Sequence, residues 1–385
     1  MRTPDHAEDW DPRDSSVQDD QLAGYDRMRR RCPVAHSDYL QWSLFRHADV
    51  VQVLHDPDTF GNAVSAHVSI PNGMDPPEHT PWRALVEPYF APERLSVFEP
   101  VARAIAREQV RALPAGELEW MDAFAHDTAV RLLCAYMDWD AGLHQPLRDW
   151  MRRSQAATRA GDRSALAAVA FEFDGHIRGQ MELRRGDDPR RRDDLTSRLM
   201  RETLQGRPLA DEELVSILRN WTVGELGTLA SCLGILPAYL AAHPDLQRRL
   251  RADPALLRAA IDEILRIHPP LIANRRVVHR PGRVGDRAFA PGERITLMWA
   301  SANRDEAVFG DPDECRLDRD PSLNLLYGAG VHVCPGAELS RLQLRVVMEE
   351  LLAGTRGLAR VAGREPVHAH YPGSGYSQLP LLVER

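Results

Sequence analysis

The stretch Tyr327-Gly328-Ala329-Gly330-Val331-His332-Val333-Cys334-Pro335-Gly336, running on through residues 337–352, decides how this chain is read. A glycine-rich loop delivers one cysteine to the start of a helix. Leu339, Leu342, Val346 and Leu351 recur at helical spacing, which predicts that helix. Pro335 suits the first helical position, where its missing N–H costs nothing. Cys334 then sits near the N-cap, with unpaired amides and the positive dipole end directed at its sulfur. Such a position favours a thiolate. Gly328, Gly330 and Gly336 leave room for something flat and bulky against the backbone.

Haem iron held by a cysteine thiolate is the known use of that chemistry. The loop resembles the haem-binding signature of the cytochrome P-450 superfamily, Phe-Gly-x-Gly-x-His-x-Cys-x-Gly-x-x-Leu-Ala-Arg. Gly328, Gly330, His332, Cys334, Gly336, Leu339 and Arg341 match, while Tyr327 replaces the usual Phe and Ser340 the usual Ala. A lone cysteine is more often a buried structural thiol; seven spaced matches weigh against that here. The resemblance implies the cytochrome P-450 fold, mainly α with small β-sheets, as one haem-thiolate domain over residues 21–385. It implies haem b (iron protoporphyrin IX), with Cys334 as metal ligand and Gly328 and Gly336 in the loop that holds the cofactor.

Composition bounds the rest. The 385 residues carry a net charge of -8, which gives no electrostatic case for nucleic acid or an anionic membrane. There is no lysine, so Schiff-base and P-loop lysines play no part. The five cysteines, Cys32, Cys134, Cys232, Cys315 and Cys334, form no Cys-x-x-Cys pair. This argues against a disulfide framework or zinc site and suits a reducing cytosol. No apolar run approaches the roughly 18–20 residues that cross a bilayer. The N-terminus does not read as a signal peptide. A cytoplasmic protein is expected. Residues 1–20, acidic and polar, read as a disordered leader. Residues 184–194 form a charge run of mixed sign, read as a solvated loop.

Asp75-Pro76-Pro77-Glu78-His79-Thr80 opens a helical pattern through Phe90. His79 and Arg83 lie four apart on one face. Two cations there would hold a carboxylate or stand as an exposed pair. Residues 209–242 read as a long helix starting at Asp211 and interrupted near Pro237. Residues 256–267 form an amphipathic helix that stops at Pro269-Pro270 and carries Glu263 and Arg266. Strands are expected at 39–45, 272–278 and 294–299, and at 367–371 and 377–382, where a turn at 373–375 reaches back.

The resemblance assigns roles to these segments. His79, Arg83, Arg276 and His332 contact haem propionates, with Arg275 the competitor of Arg276. The Glu263–Arg266 pair is buried beneath the cysteine loop, with Arg319 standing in for the usual third partner. The long helix crosses the haem face opposite the cysteine and carries Ala-Gly-x-(Glu/Asp)-Thr. The best register is Gly224-Glu225-Leu226-Gly227-Thr228, in which Gly227 stands where an acid is usual. Thr228 and Glu225 are the catalytic candidates. Glu225 replaces the acid if the glycines open the helix; otherwise the glycines serve close packing.

The implied activity is monooxygenation, one oxygen atom of O2 entering a small organic substrate, with bacterial secondary metabolism as the setting. Electrons would come from a ferredoxin and ferredoxin reductase, because the chain ends where similar proteins continue into a reductase. The acid missing at Gly227 supports a second expectation of peroxide-driven oxidation, coupling or dehydration. A non-enzymatic haem sensor is the third.

Overall fold

The computed structural model describes residues 9–65, 69–186 and 193–385. Eleven helices of eight or more residues dominate them: α1 (Gln21–Arg31), α2 (His47–Leu54), α3 (His79–Val86), α4 (Pro92–Ala112), α5 (His126–Met137), α6 (His144–Ala160), α7 (Arg163–Gly186), α8 (Asp211–Ala242), α9 (Pro244–Ala252), α10 (Leu257–Ile267) and α11 (Ala337–Gly354). Eight strands matter for the architecture: β1 (Val34–Ser37), β2 (Gln41–Leu44), β3 (Phe60–Gly61), β4 (Gly116–Glu119), β5 (Asn274–Val278), β6 (Arg294–Leu297), β7 (Gly357–Arg360) and β8 (Pro380–Glu384).

The core is built around α8. Its apolar side chains fall on nearly every side, the pattern of a helix buried all round. Its length and composition would let it cross a bilayer, yet 67% of its most apolar window is buried inside the protein. Leu229, Leu233 and Leu236 meet Leu132 and Leu133 of α5, Ile261 and Leu265 of α10, and Val347 and Leu351 of α11 in one apolar cluster. The interruption expected at Pro237 is absent. Proline removes the N–H that would reach the Leu233 carbonyl. The buried Trp120 supplies it instead, its Nε1–H donating to Leu233 O at 2.7 Å. With that acceptor satisfied from outside, α8 runs unbroken to Ala242.

The main sheet has the order β1-β2-β6-β5-β3, and a second sheet has the order β7-β8-β4. In the main sheet β5 pairs antiparallel with β6, placing Arg276 opposite Ile295. Alternation along β5 sends the two neighbouring arginines to opposite faces. Arg276 turns inward and is 3% exposed, while Arg275 is half-buried next to Tyr371. The turn at 373–375 does reach back: Ser374 O accepts from Ser231 Oγ of α8 at 3.2 Å.

Two sequence expectations need correction. Among residues 1–20, residues 1–8 lie outside the described residues, but the rest is no disordered leader. Trp10 and Val17 are buried with Tyr25 and Phe45, and Trp10 meets both rings edge-on. Two apolar side chains in an acidic segment suffice to dock it. In the charge run, residues 187–192 lie outside the described residues. Its two ends, however, are buried rather than solvated: Arg184 Nε donates to Asp194 Oδ1 at 2.8 Å. Arg184 also reaches the Asp138 carbonyl at 2.7 Å, so an arginine that reads as surface charge instead caps α5.

Candidate functional site

The cysteine loop is closed by its own backbone. Cys334 N–H donates to Tyr327 O at 2.9 Å. Gly328 and Gly330 hold φ of +72° and +69°, where a side chain would be strained. Gly330 is needed for a second reason. A Cβ there would strike the Leu54 carbonyl at the end of α2, so this glycine makes room for protein rather than for a ligand. A Cβ at Gly336 would sit 4.0 Å from Cys334 Sγ and 3.7 Å from Phe90. α11 begins at Ala337 with Gly336 as its cap, so Pro335 and Cys334 precede the helix rather than start it.

This shift bears on the thiol. Burial pushes the Cys334 thiol up; the Gly336 N–H and the charges of Arg83 and Arg341 oppose it without winning. The expected bias toward thiolate is therefore not set by the loop alone, and a bound cation would have to supply the remainder. Cys334 is exposed as a residue, while burial still weighs on its thiol. Beneath the loop Arg341 lies over the Tyr327 ring at 4.5 Å and meets Asp262 at 3.1 Å. The two departures from the family signature face each other, with the Tyr327 hydroxyl within hydrogen-bonding reach of Ser340.

Four groups surround the loop as candidates for an anionic cofactor edge. Arg83 Nη1 donates to the Val333 carbonyl at 2.7 Å and its Nε to Glu87 at 2.8 Å, so it ties α3 to the residue preceding the cysteine. His79 is buried and meets His332 edge-on, ring centroids 4.5 Å apart. Burial, together with the charges of His332 and Arg83, pulls the His79 imidazole down to about 4. It is thus a neutral hydrogen-bond donor at pH 7, not the second cation the i, i+4 spacing suggests. His332 Nε2 lies 3.5 Å from Asp75 Oδ1, too far for a good hydrogen bond. Asp75, which sequence reasoning passed over, accepts from Asn62 N–H at 2.8 Å and contacts His279 Nε2 at 3.2 Å. Burial would raise its carboxyl, but His332, the Asn62 amide and His279 hold it at about 2.

Arg276 supplies the test of fit. Its Nη1 donates to the Arg275 carbonyl at 2.8 Å, and among the described residues no carboxylate lies within ion-pair distance. Burial pulls it down to about 10, with Asp75 opposing weakly. A buried cation left without an anion is costly. A carboxylate-bearing cofactor would relieve it, with His79 as neutral donor nearby. The residues present fit haem propionates.

On α8 the backbone is helical through residues 224–228, so the glycines do not open it. Thr228 Oγ1 donates to Gly224 O at 2.5 Å. Gly224 and Gly227 are exposed although they lie on the core helix, and a Cβ on either would meet open space, so they do not serve close packing. Glu225 points elsewhere: its Oε1 accepts from Gln343 Nε2 of α11 at 2.6 Å. The structure therefore separates the two catalytic candidates. Glu263 and Arg266 form the expected buried pair at 2.7 Å, and Arg319 takes the third place, 2.8 Å from Glu263.

A cysteine on a glycine loop just ahead of one helix, a long core helix with an open glycine face, and a buried arginine on an adjacent sheet make up a candidate cofactor site in a mainly helical fold. The cytochrome P450 family model matches residues 171–354. Cyclomarin C epoxidase CymV of Salinispora arenicola is 29% identical over 344 residues, 84% of this chain and 86% of its own. A putative cytochrome P450 126 of Mycobacterium tuberculosis is 30% identical over 336 residues, 81% of this chain and 80% of its own. The open structure of cytochrome P450 EryK from S. erythraea superposes with a TM-score of 0.86 at 27% identity, covering 95% of this chain and 97% of that one. The chain belongs to the cytochrome P450 family and is an oxidoreductase of that class.

Proposed function

We propose that the protein is a haem-thiolate monooxygenase that inserts one oxygen atom of O2 into a small organic substrate. Its electrons come from a separate ferredoxin and ferredoxin reductase or a similar donor, and its setting is the cytoplasm. The observation that carries this is the pairing of the exposed Cys334 with a buried Arg276 that has no acidic partner among the described residues. Haem b, when bound, supplies the oxygen activation and the oxidation. The protein does the rest. Cys334 would hold the iron. Arg276 and Arg83 offer charge, and His79 a neutral N–H, to the propionates, with His332 placed beside them. Gly224 and Gly227 keep the α8 face open to substrate. The Thr228 hydroxyl keeps its proton on the Gly224 carbonyl, from which rotation about χ1 frees it for delivery. The epoxidase name of CymV supports oxygen insertion.

One observation favours a second reading. With Gly227 in the acid position and Glu225 engaged by Gln343, no carboxylate among the described residues is hydrogen-bonded to Thr228. Proton delivery is then weak on this helix, and peroxide-driven oxidation, coupling or dehydration becomes the rival. The test compares product formed per NAD(P)H with a surrogate ferredoxin system against product formed with peroxide alone. Reduced, carbon-monoxide-bound protein is expected to show the red-shifted Soret band of thiolate ligation, and Cys334→His to lose it. Thr228→Ala is expected to divert electrons to peroxide and lower product per electron. Full activity with peroxide and none with the ferredoxin system would establish the rival; a thiolate band surviving in Cys334→His would remove the ligand assignment.

A further inference from the structure

Tyr89, Phe90 and Trp221 form an aromatic run that the oxygen chemistry above leaves unused. Trp221 stands on α8 one turn ahead of Gly224 and two ahead of Thr228, and that spacing puts all three on one face. Its ring centroid lies 5.4 Å from that of Phe90, edge-on, and 5.2 Å from that of Tyr89. Both are aromatic contact distances. Phe90 continues the run to the cysteine loop: Phe90 and Cys334 Sγ flank the point that a Cβ on Gly336 would occupy, 3.7 and 4.0 Å from it. In the other direction the Tyr89 hydroxyl donates to Glu202 Oε1 at 2.9 Å. Tyr89 and Glu202 line a cleft of about 300 Å³, open to solvent, with Arg94, Arg198 and Arg201. The run therefore leads from beside the cysteine sulfur to the surface.

Its members differ in what they can do with an electron. Phenylalanine is too hard to oxidise and acts only as a spacer, whereas indole and phenol each yield one electron. An oxidised phenol is a strong acid, so a tyrosine that gives up an electron needs a base within hydrogen-bond reach. Tyr89 has the Glu202 carboxylate. Tyr136, stacked on Phe90 at 6.3 Å, donates instead to the Tyr89 carbonyl, and Tyr327 lies within reach of the Ser340 hydroxyl; neither acceptor takes up a proton at neutral pH. The Trp221 Nε1–H is buried with no partner among the described residues. An oxidised indole there keeps its proton and passes the charge on.

We propose that Trp221 and Tyr89 are a one-electron relay that drains the haem when peroxide has oxidised it and no substrate is present. The inference rests on the haem-thiolate reading. One electron leaves Trp221 for the oxidised haem, and one leaves Tyr89 to restore Trp221. The Tyr89 O–H bond breaks, its proton goes to Glu202 Oε1, and a neutral tyrosyl radical remains. A one-electron reductant of the ascorbate class returns the electron at the cleft, and the proton goes back from Glu202 to the phenol oxygen. Arg94, Arg198 and Arg201 outnumber Glu202 and the neighbouring Asp193, which favours an anionic reductant there.

The test mixes haem-loaded, substrate-free enzyme with hydrogen peroxide, freezes it within milliseconds and records the electron paramagnetic resonance spectrum, with and without ring-deuterated tyrosine. The wild type is expected to show a tyrosyl signal that the label narrows and ascorbate removes. Tyr89→Phe is expected to lose it, and Trp221→Phe to lose it although Tyr89 is intact. Glu202→Gln keeps an acceptor for the hydroxyl but no base, and is expected to lose most of the signal while the red-shifted carbon-monoxide band stays as in the wild type. Haem bleached per peroxide added is expected to rise in all three variants. No tyrosyl signal in the wild type, or one that persists unchanged in Tyr89→Phe or in Trp221→Phe, overturns the proposal. Should either aromatic variant fail to retain haem, an unchanged signal in Glu202→Gln overturns it equally. A wild type without the red-shifted carbon-monoxide band would remove the haem-thiolate reading itself, which distinguishes the two failures.

Discussion

Arg276→Met should act with opposite signs on the empty and the loaded protein. Without cofactor, Arg276 is a buried guanidinium, 3% exposed, with no acidic partner among the described residues. Burial takes it from 12.5 to about 10. At about 1.4 kcal/mol per pH unit this corresponds to a cost of about 3 kcal/mol. The folded value lies below the unfolded one, so the cost is present in full below about pH 10 and disappears only as pH rises past 12.5. Methionine keeps the apolar stem and removes the charge, so the apoprotein is expected to gain about 1–3 kcal/mol after local relaxation. The gain should be flat between about pH 6 and 9. Haem binding should move the other way. One charge-assisted hydrogen bond lost to a propionate costs about 1.5–3 kcal/mol, or about 10- to 150-fold in affinity. Urea unfolding of the apoprotein gives the first number, and the rate of haem transfer to an excess of a scavenging apoprotein gives the second. Arg275→Met, altering the outward neighbour, should do neither. An apoprotein destabilised by Arg276→Met, together with unchanged haem retention, would refute the argument and make Arg276 a structural residue of the sheet.

Two further outcomes follow from the geometry. Trp120→Phe leaves the Leu233 carbonyl without the donor that replaces the missing Pro237 N–H, and chemical denaturation should show a loss of about 1–3 kcal/mol; a neutral result would mean that α8 tolerates the proline unaided. The Asp75 carboxyl, folded at about 2 against an ordinary 3.8, contributes stability that is present above about pH 4 and lost as pH falls toward 2. Asp75→Asn should therefore cost about 1–2 kcal/mol at pH 7 and flatten the acid limb of a pH–stability curve below pH 4; an unchanged acid limb would count against Asp75 drawing stability from Asn62, His279 and His332.

The parts of this molecule that were legible in the sequence are those set by local spacing. The glycine–cysteine loop, the α11 pattern, the β5 and β6 strands and the Glu263–Arg266 pair depend on neighbours along the chain, whereas Arg319, 56 residues from Glu263, was reached only through the family resemblance. What escaped depends on partners far away. Nothing in residues 233–237 announces that Trp120 will replace a lost donor. Spacing puts His79 and Arg83 on one face, but only burial makes His79 a neutral imidazole near pH 7. Spacing likewise sets Glu225 close to Thr228, while the unbroken helix and Gln343 take its carboxylate to α11. Trp10 and Val17 look like strays in an acidic tail until Tyr25 and Phe45 are seen beside them. Asp75 had a signal of its own, standing immediately before the two prolines that enter α3.

Five supports of the cysteine loop share an origin in the chain. Leu54 braces Gly330, Asp75 faces His332, His79 packs on the same ring, Arg83 grips Val333, and Phe90 lies against Gly336. All five belong to the first ninety residues, some 250 positions upstream of the cysteine and outside the 171–354 segment that the family model matches. On a ribosome the seat is therefore translated long before its occupant. Contacts this distant in sequence are slow to form, so the loop closes late, against a surface already built. A fragment that keeps Cys334 and loses those ninety residues would retain the ligand and lose the means of aiming it.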